Sequence, residues 1–136
     1  MTALAVILGT TLAALAALHL LWAIGVWTPI RDEAALARAV LGTPSVTRMP
    51  GPVSCALVAV ALAFAAILPF RPGFPFREGL MPLIAAVFGL RGIAAYVPAW
   101  RKLTPEEPFA TLDRKAYGPL CLTLGIGYLT LALGGF

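Results

Sequence analysis

One histidine, one arginine set inside an apolar run and one aspartate within its reach are the side chains of this sequence with most chemistry to offer. His19 lies in "HLLWAIG", with Trp22 and Gly25 at i, i+3 and i+6 on roughly one helix face. An imidazole there can move a proton, ligate a metal or simply hydrogen-bond a neighbouring helix. Arg91 interrupts "LIAAVFGLRGIAAYVP" (Leu83–Pro98). Its guanidinium either snorkels along its own stem to an interface or takes a carboxylate through a two-bond fork. Asp113 is the carboxylate available, because Glu106 and Glu107 sit in a proline-flanked loop that should be solvated. Tyr96 and Tyr117 add hydroxyls near the same ends. Cys55 and Cys121 form no CxxC and have no metal-ligand spacing. No second histidine supports a haem or metal on His19, so no cofactor is expected, and the thiols read as small packing residues.

The elements that must carry these groups are membrane spans. The chain is 60% hydrophobic and 12% charged, with a mean hydropathy of +0.91. Soluble domains run at about 45–50% apolar and about 25% charged, so the bilayer must supply part of the apolar environment. A crossing helix needs about 20 apolar residues, and four segments qualify: 3–27, 53–70, 80–97 and 119–136. The expected fold is an all-α integral membrane four-helix antiparallel bundle with short loops, a single domain over 1–136. No Lys or Arg precedes the first span, so it lacks the positive start of a secretory signal and is read as retained.

Charge sets the direction. The loops after the first and third spans hold Arg31, Arg38, Arg48, Arg101, Lys102, Arg114 and Lys115, whereas the second loop holds only Arg71 and Arg77. The positive-inside rule puts the basic loops in the cytoplasm and both termini in the periplasm of a bacterial inner membrane. Basic loops beside apolar runs point to anionic headgroups, not nucleic acid. Within the first loop, "RDEAALARAVLG" (Arg31–Gly42) predicts a short helix with Asp32 and Glu33 at its start, Leu36, Ala37 and Val40 on one face, and Gly42 as its stop. It lies in the interface or caps the bundle.

Depth brings the polar residues together. Arg91 is seven residues before Pro98 and His19 eight before Trp27, so they lie about 10 and 12 Å below one face. His19, Trp22, Arg91, Tyr96, Asp113 and Tyr117 therefore form an expected polar cluster in one half of the bundle, and the other half has essentially no ionisable side chain inside a span. An ionisable group within a membrane is a functional-site hypothesis whose partner must be named.

Three motifs, "HLLWAIG", "LRGIAAYV" and above all "PFATLDRKAYGPLCLTLG" (Pro108–Gly125), resemble an uncharacterised bacterial membrane family, domain of unknown function 3995. The likeness covers nearly the whole chain and implies a four-helix membrane protein, with no activity attached. In that family an acid and a second aromatic often follow the arginine of the third span. Here those positions are Ile93, Ala94 and Ala95, which leaves Asp113 as the partner of Arg91.

Three functions fit these residues. A non-catalytic accessory or assembly subunit of a larger inner-membrane complex fits the lack of any nucleophile with a base, paired catalytic carboxylates, phosphate loop or metal spacing. Its partners would be lipids and other membrane subunits. A binding protein or small enzyme for a quinone, isoprenoid or lipid fits the polar cluster. A transporter or channel component fits less well, because no polar path continues through the other half.

Overall fold

The computed structural model describes all residues, Met1–Phe136. The chain is entirely helical: α1 (Thr2–Ala23), α2 (Glu33–Val40), α3 (Pro52–Ile67), α4 (Arg77–Ala94), α5 (Pro98–Leu103), α6 (Phe109–Leu112) and α7 (Gly118–Leu133). A 3-10 turn, Leu68–Phe70, extends α3, and a wide π turn, Asp113–Tyr117, joins α6 to α7. Three helices are long and apolar enough to cross a membrane: Thr2–Ala23, Pro52–Phe70 and the continuous Phe109–Leu133. They mark a membrane protein. α4, the sequence's third apolar run, is not among them, because it begins earlier than 80 and so takes in Arg77 and Glu78 as well as Arg91.

The surface agrees with that reading. Only 30 of 136 residues are buried, while Leu90, Val60 and Ile126 stand outward at 69%, 68% and 66% exposure. Water would not tolerate so continuous an apolar exterior. The helices are apolar all round, as a helix with lipid on one side and neighbours on the other should be.

α1 packs along α3, and α4 along α7. Small residues make the second contact close. A Cβ placed on Gly125 would stand 2.8 Å from the Gly89 nitrogen and 3.0 Å from the Ala85 carbonyl oxygen, so the two backbones touch where neither has a side chain. Along this seam Ala95 faces Gly118, Gly92 faces Leu122 and Gly89 faces Gly125; the numbers fall on one helix as they rise on the other. The main core lies at the end holding the chain termini, where Ala5, Leu8, Leu12, Leu68, Met81 and Tyr128 meet. Tyr128 is fully buried and its hydroxyl donates to the Ala65 carbonyl.

The helix ends differ from the sequence reading. α1 stops at Ala23, not at residue 27. Gly25 takes a left-handed φ of 81° and the Val26 amide donates back to the Leu21 carbonyl at 2.9 Å, a common helix stop. α2 forms over the predicted stretch: the Asp32 carboxylate accepts from the Ala35 amide at 2.9 Å, and Gly42 follows the helix at φ 69°. It caps the bundle. Leu36 and Ala37 are buried against Trp22, Met49 and Cys55, which form a second, smaller core.

Candidate functional site

The second core and the polar residues enclose a cavity of about 550 Å³. α1 contributes His19 and Trp22, α4 contributes Arg91, and the start of the last span contributes Tyr117 and Cys121. The rest of the lining is almost wholly apolar, including Leu15, Leu62, Phe88 and Leu120. α2 roofs the chamber. Its Ala39 carbonyl accepts from the Tyr117 hydroxyl at 2.8 Å, which ties the roof to the wall 78 residues away in sequence.

Arg91 and Asp113 form an ion pair, with Arg91 Nη2 donating to Asp113 Oδ1 at 2.6 Å. The contact is a single bond, not the two-bond fork the sequence allows, because Trp100 takes the other carboxylate oxygen: its indole N–H donates to Oδ2 at 2.9 Å. The guanidinium also lies over the Trp100 ring, 5.0 Å from the centroid, a cation–π placement. Asp113 is only 2% exposed. It is satisfied on both oxygens, and Arg91 is left with Nη1 buried and without a hydrogen-bond partner. A buried donor in that state costs about 1–3 kcal/mol, more when charged. The arginine is therefore turned inward to a carboxylate and an aromatic face.

The wide turn places the aspartate. Pro119 has no N–H to give to the carbonyl four residues before it, so the regular ladder fails there. The Gly118 amide donates instead to the Asp113 carbonyl, five residues back. Such turns are rare in helices and are frequent at functional sites. Asp113 thus sits inside a helix, where the sequence reading had left it in the loop before the span.

A profile of one protein family matches residues 12–128. That range takes in every residue of the ion pair and the cavity. The chain belongs to DUF3995, a family of proteins of unknown function. Neither the curated proteins nor the solved structures hold a match to it.

In this DUF3995 chain the remaining predicted residues divide. His19 and Trp22 stack with ring centroids 4.7 Å apart, and the Trp22 indole donates to the Thr28 carbonyl at 2.8 Å. His19 Nδ1 faces the Leu15 carbonyl oxygen at 2.7 Å. A carbonyl can only accept, so Nδ1 carries the proton and the neutral ring keeps a lone pair on Nε2. Because α1 ends at Ala23 and α4 at Ala94, His19 and Arg91 lie about 6 and 5 Å from their helix ends, shallower than the sequence reading. Tyr96 does not join the cavity: it is 49% exposed and its hydroxyl donates to the Arg114 carbonyl at 2.8 Å. Trp100 is the functional residue that sequence reasoning missed. The signal was "PAWRKL", a proline-started turn that folds one aromatic back over the end of α4.

Proposed function

We propose that the chain is a binding protein for an amphipathic small molecule, held in the cavity with its polar head at Arg91 and His19. The observation that carries this reading is the buried, unpartnered Nη1 of an arginine that lines an otherwise apolar chamber. A structural ion pair alone would have no use for that donor, and pockets for organic ligands have this composition: apolar walls and a few polar groups. The proposal is of binding, not turnover.

The same proposal takes α1, α3, α4 and α7 as four antiparallel spans of a bacterial inner membrane. Support for α4 comes from where its charges lie: Arg77 and Glu78 are in its first turn and Arg91 in its last, leaving an apolar middle. The loops rich in Arg and Lys would face the cytoplasm and anionic headgroups, and the termini the periplasm. A cysteine placed at Gly73 should react with an impermeant thiol reagent from outside while one at Thr43 does not; the reverse pattern rejects the orientation.

The binding test is mass spectrometry of lipids retained after mild purification from the source membrane. Wild type should retain a discrete species, and Leu120→Trp, which fills the cavity, should lose it. Identical extracts, with a stoichiometric protein subunit co-purifying, would reject the ligand reading. They would favour the accessory or assembly subunit, a reading supported by how little of the chain could meet a partner in water.

A further inference from the structure

We propose that the occupant is a neutral single-chain lipid with a carbonyl in its head and its alkyl chain lying in the cleft between α3 and α4. The inference rests on the ligand reading above and narrows it to a chemical class. Charge comes first. Arg91 is already balanced by Asp113 at 2.6 Å, so the pair brings no net charge to the chamber. His19 is the other basic side chain in the lining. Its Nδ1 is engaged with Leu15, and in the neutral ring Nε2 offers a lone pair rather than a cation. An anionic head would therefore add an uncompensated charge to apolar walls, which is strongly unfavourable. A carbonyl oxygen accepts from Nη1 without adding charge, and a hydroxyl on the same head can donate to Nε2.

The cleft gives the rest of the molecule its place. It measures about 420 Å³ and all its lining residues are hydrophobic. Val58, Leu62 and Phe88 line both it and the cavity, so the two spaces are continuous. Phe88 is steadied at the junction by stacking on Tyr128, with centroids 6.4 Å apart. Farther out the cleft is bounded by Leu83 and Val87, more than half exposed on the apolar exterior. A chain can thus pass from the bilayer into the cleft without crossing water. If a methylene group takes up about as much space as a water in the liquid, roughly 30 Å³, the cleft holds about fourteen such groups, one chain and not the two of a phospholipid.

The test measures binding of monoolein, monocaprylin and oleate to the purified protein in detergent at mildly alkaline pH. Monoolein carries an ester carbonyl and a long chain, monocaprylin the same head on a short chain, and oleate a charged head on the long chain. Monoolein should bind at least about tenfold more tightly than either, since each tenfold step is a modest free-energy difference. Ala61→Trp, which obstructs the cleft but not the cavity, should abolish the advantage of monoolein over monocaprylin and leave monocaprylin binding in place. Val87→Trp, on the opposite wall, repeats the measurement should Ala61→Trp fail to fold. Oleate binding as tightly as monoolein, or a chain-length advantage that survives obstruction of the cleft, overturns this inference alone. If none of the three binds, and cavity-filling Leu120→Trp leaves the native lipid extract unchanged, the ligand reading itself falls.

Discussion

Arg77 and Arg91 stand at opposite ends of the same helix and are used in opposite ways. Arg77 is half-buried beside the 3-10 turn, where its Nε donates to the Leu68 carbonyl at 3.3 Å and its Nη2 to the Pro69 carbonyl at 3.0 Å. These are carbonyls at a helix end, short of internal donors, and a cation there completes the ladder. Arg91 meets no carbonyl. It faces a carboxylate and an indole and keeps one buried nitrogen unspent. The first arginine finishes a fold. The second holds polarity inside a chamber whose walls could have been packed with leucine. The ends around them differ likewise: the Arg77 end is closed by apolar contacts such as Tyr128 among Leu8, Met81 and Leu124, and the Arg91 end is hollow.

The largest effect that would break this contrast is removal of Asp113. Asp113→Ala leaves Arg91 without its carboxylate and should destabilise the protein by about 3–5 kcal/mol, toward the lower figure because part of Arg91 is exposed. A double variant, Arg91→Leu with Asp113→Ala, should cost less than the two single changes added together. Thermal unfolding in detergent measures both. Additive, near-zero values would make Arg91 an ordinary snorkelling cation. Trp100→Phe comes next. It keeps an aromatic face for the guanidinium and removes the hydrogen bond to Asp113, so a loss of about 1.5–3 kcal/mol is expected in the same assay. Smallest is Arg77→Met, which retains the apolar stem and gives up two bonds to neutral carbonyls. It should cost about 0.5–1.5 kcal/mol and leave lipid retention unchanged, whereas Arg91→Met should reduce it.

These two ends were unequally legible in the sequence. The apolar runs announced themselves through length, and Asp113 could be named as the partner of Arg91 by elimination, since Glu106 and Glu107 belong to a solvated loop. The α2 cap was readable from Asp32 and Gly42, both short-range signals. Helix ends were not readable in the same way. A span that is apolar on every side has no periodic contrast to mark where it stops, so Gly25 ended α1 earlier than hydropathy implied. Trp100 was invisible for a different reason: its contact with Asp113 depends on α5 turning back over α4, a tertiary placement with no local spacing to reveal it. The cavity is likewise a property of how four walls and a roof meet, and no single segment encodes a space.

The wide turn at Asp113–Tyr117 also acts as a phase setting for everything downstream. A regular helix advances about 100° per residue, so one residue more or less before Gly118 rotates the whole of α7 by that angle. In the present phase Gly125 meets Gly89 and the Tyr128 hydroxyl reaches Ala65. Deleting the exposed Lys115 would let the turn close into an ordinary α-helix, locally the better geometry. It would also swing larger side chains into the α4 seam and carry Tyr128 away from its carbonyl. The deletion should therefore lose the folded protein in a detergent-solubility assay, while Lys115→Ala should be tolerated. A single residue of apparent slack is then the register mark by which the last span finds its face.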